Sequence, residues 1–271
     1  MGSKKFKIAT WNINSVRLRS GLVEQFLKDY QPDVLCLQET KCANDQFPSS
    51  NFSKLGYEHT AIHGQKGYHG VATLSRLPLS HSESHDFCEI GDARHVRTIV
   101  HAGNQRIGIE NFYVPAGGDE PDTAKNPKFA HKLKFLDEMQ EIHATPSDEE
   151  DARILVGDLN IAPLENDVWS HKQLLKVVSH TPVETETLEK LRKDTGWSDL
   201  VRTKIPATEK LFTWWSYRSR EWNVSDRGRR LDHIWGSQNL EGALEDVTVL
   251  REARGWERPS DHVPVIATFN F

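Results

Sequence analysis

At 271 residues, with 37% hydrophobic and 27% charged content, the chain can bury a sizeable core, and an ordered fold is expected. No apolar run is long enough to span a membrane, the amino terminus lacks the apolar stretch of a signal peptide, and the three cysteines (Cys36, Cys42, Cys88) have no metal-site spacing. Free thiols in a reducing, cytoplasmic setting are expected, and the net charge of -5 does not mark a general polyanion binder, although local clusters of charge decide that question.

Met1-Gly2-Ser3 reads as an expression remnant and is set aside. Phe6 to Ile13 alternates apolar and polar residues, as a half-buried strand does. Leu22, Val23, Phe26, Leu27 and Tyr30 recur at helical spacing, with Ser20 as the expected cap and Pro32 as the stop. Val34 to Leu37 is a continuous apolar run, expected as a strand buried on both faces, and it ends in Gln38-Glu39. The stretches 44–54 and 115–127 read as surface loops. Val71 to Leu74, Val96 to Val100 and Ile107 to Phe112 read as strands, and Leu133, Leu136, Met139 and Ile142 form a helical stripe. Ile154 to Val156 is a second buried run, ending in Gly157-Asp158-Leu159-Asn160. Leu188 and Leu191 mark another helix. Leu231 to Trp235, Val247 to Leu250 and Val263 to Phe269 complete the strands. The two halves loosely repeat an order of strands, helix and acid-ended buried strand, which hints at an internal duplication. With no linker, one domain of two packed sheets with helices outside is expected. No heptad seam calls for a dimer, so a monomer is expected.

Charge is unevenly placed. Five arginines (Arg218, Arg220, Arg227, Arg229, Arg230) crowd the segment from Tyr217 to Leu231, whereas Ser147 to Asp151 is acidic. A basic face on an otherwise acidic surface fits this pattern.

Glu39, Asp158 and Asp261 each lie where a buried strand meets a loop, and Asp232 lies in a strand-like segment. A carboxylate beside a core is costly unless paired or metal-bound. His262 follows Asp261, and an imidazole beside carboxylates can exchange protons near neutral pH. Asn12, Asn14 and Asn160 occupy comparable positions. The set is rich in oxygen and free of cysteine, which favours Mg²⁺ or Mn²⁺ over structural zinc. Plainer readings stand beside this one: Glu39 and Asp158 suit turns, Asp232 suits a counter-ion for Arg229 or Arg230, and Asp199 suits a helix or loop cap.

Seven stretches then occur in the order found in one known family: Trp11-Asn12-Ile13-Asn14, Leu37-Gln38-Glu39-Thr40-Lys41, Gly64 to Val71, Tyr113-Val114-Pro115, Gly157 to Asn160, Arg230-Leu231-Asp232 and Pro259 to His262. From about residue 6 to its end the chain resembles the exonuclease III family of AP endonucleases. The resemblance implies a DNase I-like four-layer αββα sandwich. It also implies Mg²⁺-dependent incision of DNA 5′ to abasic sites, with 3′→5′ exonuclease or 3′-end cleaning, on double-stranded DNA with abasic or damaged 3′ ends, in a bacterium close to the nucleoid. By the same resemblance Glu39 is the main metal ligand, with Asn12 or Asn14 nearby, and Asp158, Asn160 and Asp261 complete the metal and water environment. His262, oriented by Asp232, meets the phosphate or accepts the water proton; Asp158 is the rival base and the favoured holder of the attacking water; and Tyr113 adds a hydroxyl to the phosphate or leaving group. Arg17, Lys66, Tyr68, Arg218 and Arg227 are candidate DNA contacts, and Trp214 and Leu231 resemble the apolar wall that receives a flipped-out sugar.

Two positions depart from the family pattern. Ala116 stands where well-known members carry an Asn or Gln that meets the phosphate, and Arg229 stands where some carry a Trp beside the sugar pocket. Two other functions compete with a DNA-repair nuclease. A phosphodiesterase of the same superfamily acting on RNA, lipid headgroups or inositol phosphates would keep the acids and His262 but would not need the Trp214–Arg230 segment. A non-catalytic nucleic-acid-binding module would have no use for the full set of acids, amides and histidine.

Overall fold

The computed structural model describes residues 5–103, 105–145 and 150–271. Met1-Gly2-Ser3 and the start of the acidic stretch at Ser147 lie outside the described residues.

In chain order the elements are β1 (Lys5–Asn12), α1 (Ser20–Tyr30), β2 (Val34–Gln38), α2 (Ser49–Ser53), β3 (His59–His63), β4 (Val71–Ser75), β5 (Leu79–Glu83), β6 (His95–Ala102), β7 (Gln105–Tyr113), α3 (Pro127–His143), β8 (Ala152–Asp158), α4 (His171–Leu174), α5 (Pro182–Asp194), β9 (Trp197–Asp199), α6 (Leu200–Lys204), α7 (Trp222–Ser225), β10 (Asp232–Ser237), β11 (Leu244–Val249) and β12 (Val265–Asn270). The strands form two sheets, ordered β11-β12-β1-β2-β4-β3 and β5-β6-β7-β8-β10-β9. In each sheet one parallel pair, β1 with β2 or β7 with β8, sits inside an otherwise antiparallel array. The two sheets thus have the same strand pattern, in keeping with the loose repeat seen in the sequence.

Strand periodicity explains the layers. Phe6 and Ile8 of β1, Val34 and Cys36 of β2, Ile107 and Ile109 of β7 and Ile154 and Val156 of β8 meet between the sheets. Their neighbours point outward. Ala9, Trp11, Leu35 and Leu37 pack under Val23, Phe26 and Leu27 of α1 and Phe52 of α2. Phe112, Leu155 and Trp235 pack under Phe135, Leu136 and Met139 of α3 and Leu188 and Leu191 of α5. The result is the four-layer αββα sandwich expected. Each fully buried Ile, Leu or Phe in these layers contributes about 2 kcal/mol of transfer free energy.

Several local expectations change. Ser20 opens α1 but makes no capping hydrogen bond, because the cap position is Arg19. Ile142 is 40% exposed, and the buried face of α3 runs instead through Phe129, Lys132, Phe135, Leu136, Met139 and His143. The 44–54 loop contains a helical turn at Asn44–Gln46 and all of α2. All three cysteines are free and buried. No helix among the described residues is long and apolar enough to cross a membrane.

Candidate active site

The alternation that sends Ile8 into the inter-sheet core also sends Asn12, two pairs further on, to the same side at the strand's end. The same parity holds for Gln38 of β2, Asn111 and Tyr113 of β7, Asp158 of β8 and Asp232 of β10. The apolar layer therefore turns polar at one edge. Gln38 donates to Thr10 Oγ1 at 3.0 Å and to Asn111 Oδ1 at 2.8 Å, a neutral floor between the core and the charged groups.

Above this floor Asn12, fully buried, ties the two sheets together. Its Nδ2 donates to Glu39 Oε1 at 2.9 Å and to Asp158 Oδ2 at 2.8 Å, while its Oδ1 accepts from the backbone of Asn14 at 3.1 Å. Through its nitrogen Asn12 thus positions two carboxylates at once. Asn160 acts likewise: its backbone N–H reaches Asp158 Oδ1 at 2.9 Å, and its Nδ2 donates to Asp158 Oδ2 at 3.2 Å and Val114 O at 2.9 Å. Gly157 sits at φ 143°, and an added Cβ would run into Phe112 O, so β8 comes this close to β7 only with glycine before Asp158.

Asp232 lies directly opposite Asp158 in the β8–β10 register. Its Oδ2 accepts from Thr213 Oγ1 at 2.6 Å and from His262 Nδ1 at 2.8 Å. The other imidazole nitrogen, Nε2, is 3.7 Å from Asp158 Oδ2. Burial works to lower the His262 pKa, but Asp232 and Asp158 outweigh it and raise it, so the ring is held as an imidazolium. Asp158 is raised above the usual carboxylate range, by burial first and by Asp232 and Glu39 next, against the opposing pull of His262 and Asn12. Asp232 does not serve Arg229 or Arg230 as a counter-ion. Arg230 is fully buried and pairs with Asp167 and Asp199, which removes it from the basic face, and Asp199 also caps α6 as expected.

Opposite this triad lies a second oxygen cluster. Lys41 Nζ is 2.8 Å from Glu39 Oε2 and 2.6 Å from Asn14 Oδ1. Asn14 Nδ2 donates to Asp261 Oδ1 at 3.2 Å, and Trp214 Nε1 donates to Asp261 Oδ2 at 3.0 Å. Burial raises the Glu39 carboxyl, but Lys41 and Asn12 outweigh it, so the group stays below its ordinary range. The short turn that brings Lys41 back over Glu39 needs left-handed backbone at both residues, and it packs on Gly70, where a Cβ would collide with Thr40 Oγ1.

Two places could hold a cation. Asp158, Asp232 and His262 present ligand-type atoms within 4.8 Å of one another. That set includes the His262 ring, whose raised pKa favours the protonated form without a free lone pair, although Asp232 Oδ1 is left without a hydrogen-bond partner. The Glu39–Asn14–Asp261 cluster fits better. Its donors are all oxygens, suited to a hard divalent ion, and the Lys41 ammonium already stands between two of them as a positive charge.

Tyr113 is buried beside these groups. Burial, then the Glu39 and Asp158 carboxylates, raises the phenol well above its ordinary value, so it remains a proton donor. Arg94, which the sequence did not flag, lies 5.0 Å over the ring centroid and reaches Tyr113 O at 3.4 Å. Lys132 was missed as well. Wholly buried, it binds Glu184 at 2.5 Å and supports the backbone carbonyl of Asn160 at 2.8 Å. The signal for Lys132 was a lysine at a core position of a helical stripe.

The candidate DNA contacts ring this edge. Arg17, Lys66 and Tyr68 are exposed on the Glu39 side, and Arg218 and Arg227 are exposed on the Trp214 side. Leu231, 5% exposed, joins Ala162, Val168 and Leu174 in a small apolar cluster against which Trp214 packs. Ala116 is exposed and offers no polar side chain. Behind Trp214 opens a pocket of about 740 Å³ lined by Trp169, Trp214, Arg218, Arg227 and Arg229.

Residues 9–262 match the model of the Endonuclease/Exonuclease/phosphatase family. Exodeoxyribonuclease III of Haemophilus influenzae is 34% identical over 97% of this chain and 99% of its own length. An AP endonuclease from Archaeoglobus fulgidus superposes with a TM-score of 0.89 at 31% identity, covering 97% of this chain and 99% of that one. A 3′ phosphatase from Neisseria, solved bound to a product DNA hairpin, superposes with a TM-score of 0.89 at 32% identity, covering 98% of this chain and 100% of that one. The chain belongs to the endonuclease/exonuclease/phosphatase family, as a DNA-repair nuclease of the exodeoxyribonuclease III type.

Proposed function

We propose that the chain hydrolyses a DNA phosphodiester with the help of Mg²⁺ or Mn²⁺, incising duplex DNA 5′ to abasic sites and cleaning damaged 3′ ends. One observation carries the reading: the His262 ring lies between two buried carboxylates, 2.8 Å from Asp232 and 3.7 Å from Asp158.

Glu39 and Asp261 would hold the cation, with the Asn14 oxygen between them. When bound, the cation supplies positive charge to the phosphate and to the leaving oxygen. Asp158, kept proton-hungry by burial, aims the attacking water and accepts its proton. Asn12 and Asn160 fix the direction in which Asp158 points. His262 donates from Nε2 to a phosphate oxygen as negative charge builds, and Asp232 holds the ring by Nδ1, as a carboxylate fixes an imidazole in a hydrolase triad. Tyr113 donates a further hydrogen bond. The nitrogen of Asn160 is committed to Val114 and Asp158, so its role is to orient Asp158 rather than to contact the phosphate.

Arg17, Lys66 and Tyr68 on one bank, with Arg218 and Arg227 on the other, suit the phosphates of a duplex. Trp214 and Leu231 form the apolar wall for an extruded sugar, whose missing base lowers the cost of unstacking. We read the whole span as one catalytic unit working as a monomer in the cytoplasm of a bacterium, in keeping with the bacterial relative.

The test is a duplex carrying one abasic analogue, incubated with the protein in Mg²⁺ or in EDTA. Incision immediately 5′ to the analogue, only with Mg²⁺, is expected. Absence of metal-dependent cutting there would refute the reading.

A further inference from the structure

The pocket behind Trp214 is larger and more cationic than a sugar without a base requires. Its volume of about 740 Å³ lies within the roughly 300–1,000 Å³ of sites that enclose whole organic ligands. Trp214 is shared between this pocket and the reacting centre. Its indole N–H holds Asp261 at 3.0 Å, and it bridges to both His262 and Arg229 through the backbone. Arg229 lies over the Trp214 ring at 5.3 Å, and Arg227 lies over the Trp169 ring at 4.8 Å. Among the described residues neither arginine forms a salt bridge, and neither does Arg218. Arg229 is nonetheless fixed, because Nη1 donates to Val178 O at 3.1 Å and to Ser179 Oγ at 2.8 Å. That leaves Nη2 and the buried Nε as its uncommitted donors, on a side chain lining the pocket. Two indole faces and a clamped, unpaired guanidinium suit a flat ring with acceptor atoms on its edge.

We propose that Arg229 makes this pocket a subsite for an intact, base-bearing 3′-terminal nucleotide, and that it sets the preference between such ends and base-less sites. The proposal rests on the nuclease reading above. The terminal base stacks on the tryptophans and its acceptor edge meets Arg229. Water oxygen then bonds to phosphorus and the P–O3′ bond breaks. The penultimate O3′ leaves with the bonding pair and takes up a proton, and the terminal nucleotide departs as a 5′-monophosphate.

The experiment compares kcat/KM on two duplexes, one ending in 3′ 2-aminopurine and one with an internal tetrahydrofuran abasic analogue. For Arg229→Leu, the ratio of end removal to abasic incision is expected to fall at least about tenfold, the value of one hydrogen bond to a charged donor. Arg227→Ala, whose side chain makes no hydrogen bond among the described residues, is expected to lower the same ratio about threefold, which guards against a folding defect in the first variant. Independently of turnover, the slow variant Asp158→Asn is expected to quench 2-aminopurine fluorescence on binding, and the added Arg229→Leu change is expected to abolish that quenching. An unchanged ratio in both arginine variants, or quenching that survives Arg229→Leu, would overturn the proposal while leaving the nuclease reading intact. A wild-type protein that cuts neither duplex would overturn both.

Discussion

His262 donates from Nδ1 to Asp232 Oδ2 across 2.8 Å, although thirty positions separate them and Asp261 is the sequence neighbour of the histidine. Asp261 turns away to Asn14 and Trp214. Asp232→Asn removes the carboxylate that holds the imidazolium. The single-turnover incision rate is expected to fall by roughly 10²–10⁴, with DNA binding retained, and Asp158→Asn and His262→Ala are expected to behave alike. Single-turnover incision and fluorescence anisotropy on the same duplex check this; a wild-type rate in any of the three contradicts its assigned role.

Lys41 shares its oxygens with the cation expected at Glu39 and Asn14. Removing the competing ammonium should tighten metal binding. An ion pair of this exposure is worth about 1 kcal/mol, so Lys41→Met is expected to bind Mn²⁺ about fivefold more tightly, and Glu39→Gln much more weakly. Titration of free Mn²⁺ by electron paramagnetic resonance reads both, without DNA. Weaker binding in Lys41→Met would mean that the ammonium supports the seat instead of occupying it.

His233 gives stability a defined pH dependence. It is fully buried with Nε2 at 2.8 Å from Ile161 O, and burial, then Arg230, lowers its pKa from 6.5 to about 4. Between these values the unfolded chain takes up a proton that the folded chain refuses. The stability associated with His233 is therefore complete above about pH 6.5 and is lost as pH falls, by about 3 kcal/mol near pH 4. Burial lowers His143 and His180 too, adding the same sign. Urea unfolding at pH 7, 5.5 and 4.5 measures the slope, and His233→Gln is expected to flatten it.

The Lys132–Glu184 pair, wholly buried at 2.5 Å, links the helical layer to the Asn160 loop. Lys132→Met leaves Glu184 as an uncompensated charge, and a loss of about 3–5 kcal/mol is expected in urea unfolding. Incision should slow as well, since Asn160 loses the support of its carbonyl. A cost below about 1 kcal/mol would show that the pair is not essential to the fold.

DNA affinity is expected to fall steeply with salt. Lys66→Ala should reduce the slope of log K against log salt by about one, as loss of a single phosphate contact does. Anisotropy titrations across several salt concentrations give the slope directly, and an unchanged slope would remove Lys66 from the interface.

The long buried strands and the order of acid-ended motifs could be read along the chain, because strand parity and an abrupt change from apolar to polar are local signals. Glu39, Asp158 and His262 were singled out this way, and the fold brings them to one edge. The short edge strands were not: His59–His63 is half-buried, and Leu79–Glu83 is mostly exposed and polar, so neither shows an apolar alternation. Arg230 resembled its neighbours in a basic run, and only folding brings Asp167 and Asp199, 63 and 31 residues away, to neutralise it inside the protein. Lys132 shows the same limit, since its partner Glu184 lies 52 residues further on. Which atom of Asn12 faces the carboxylates was not legible, because amide oxygen and amide nitrogen cannot be told apart in a sequence; in the fold the nitrogen faces Glu39 and Asp158.

The Asn12 amide spans two sheets, with Glu39 on its own sheet and Asp158 on the other. The gap it bridges is set by the apolar layer behind it, so the thickness of that layer works as a spacer that calibrates the distance between the cation side and the proton side. A methylene lost from Ile109 or Ile154, remote from any substrate, would detune the reaction by letting the two sheets settle closer together.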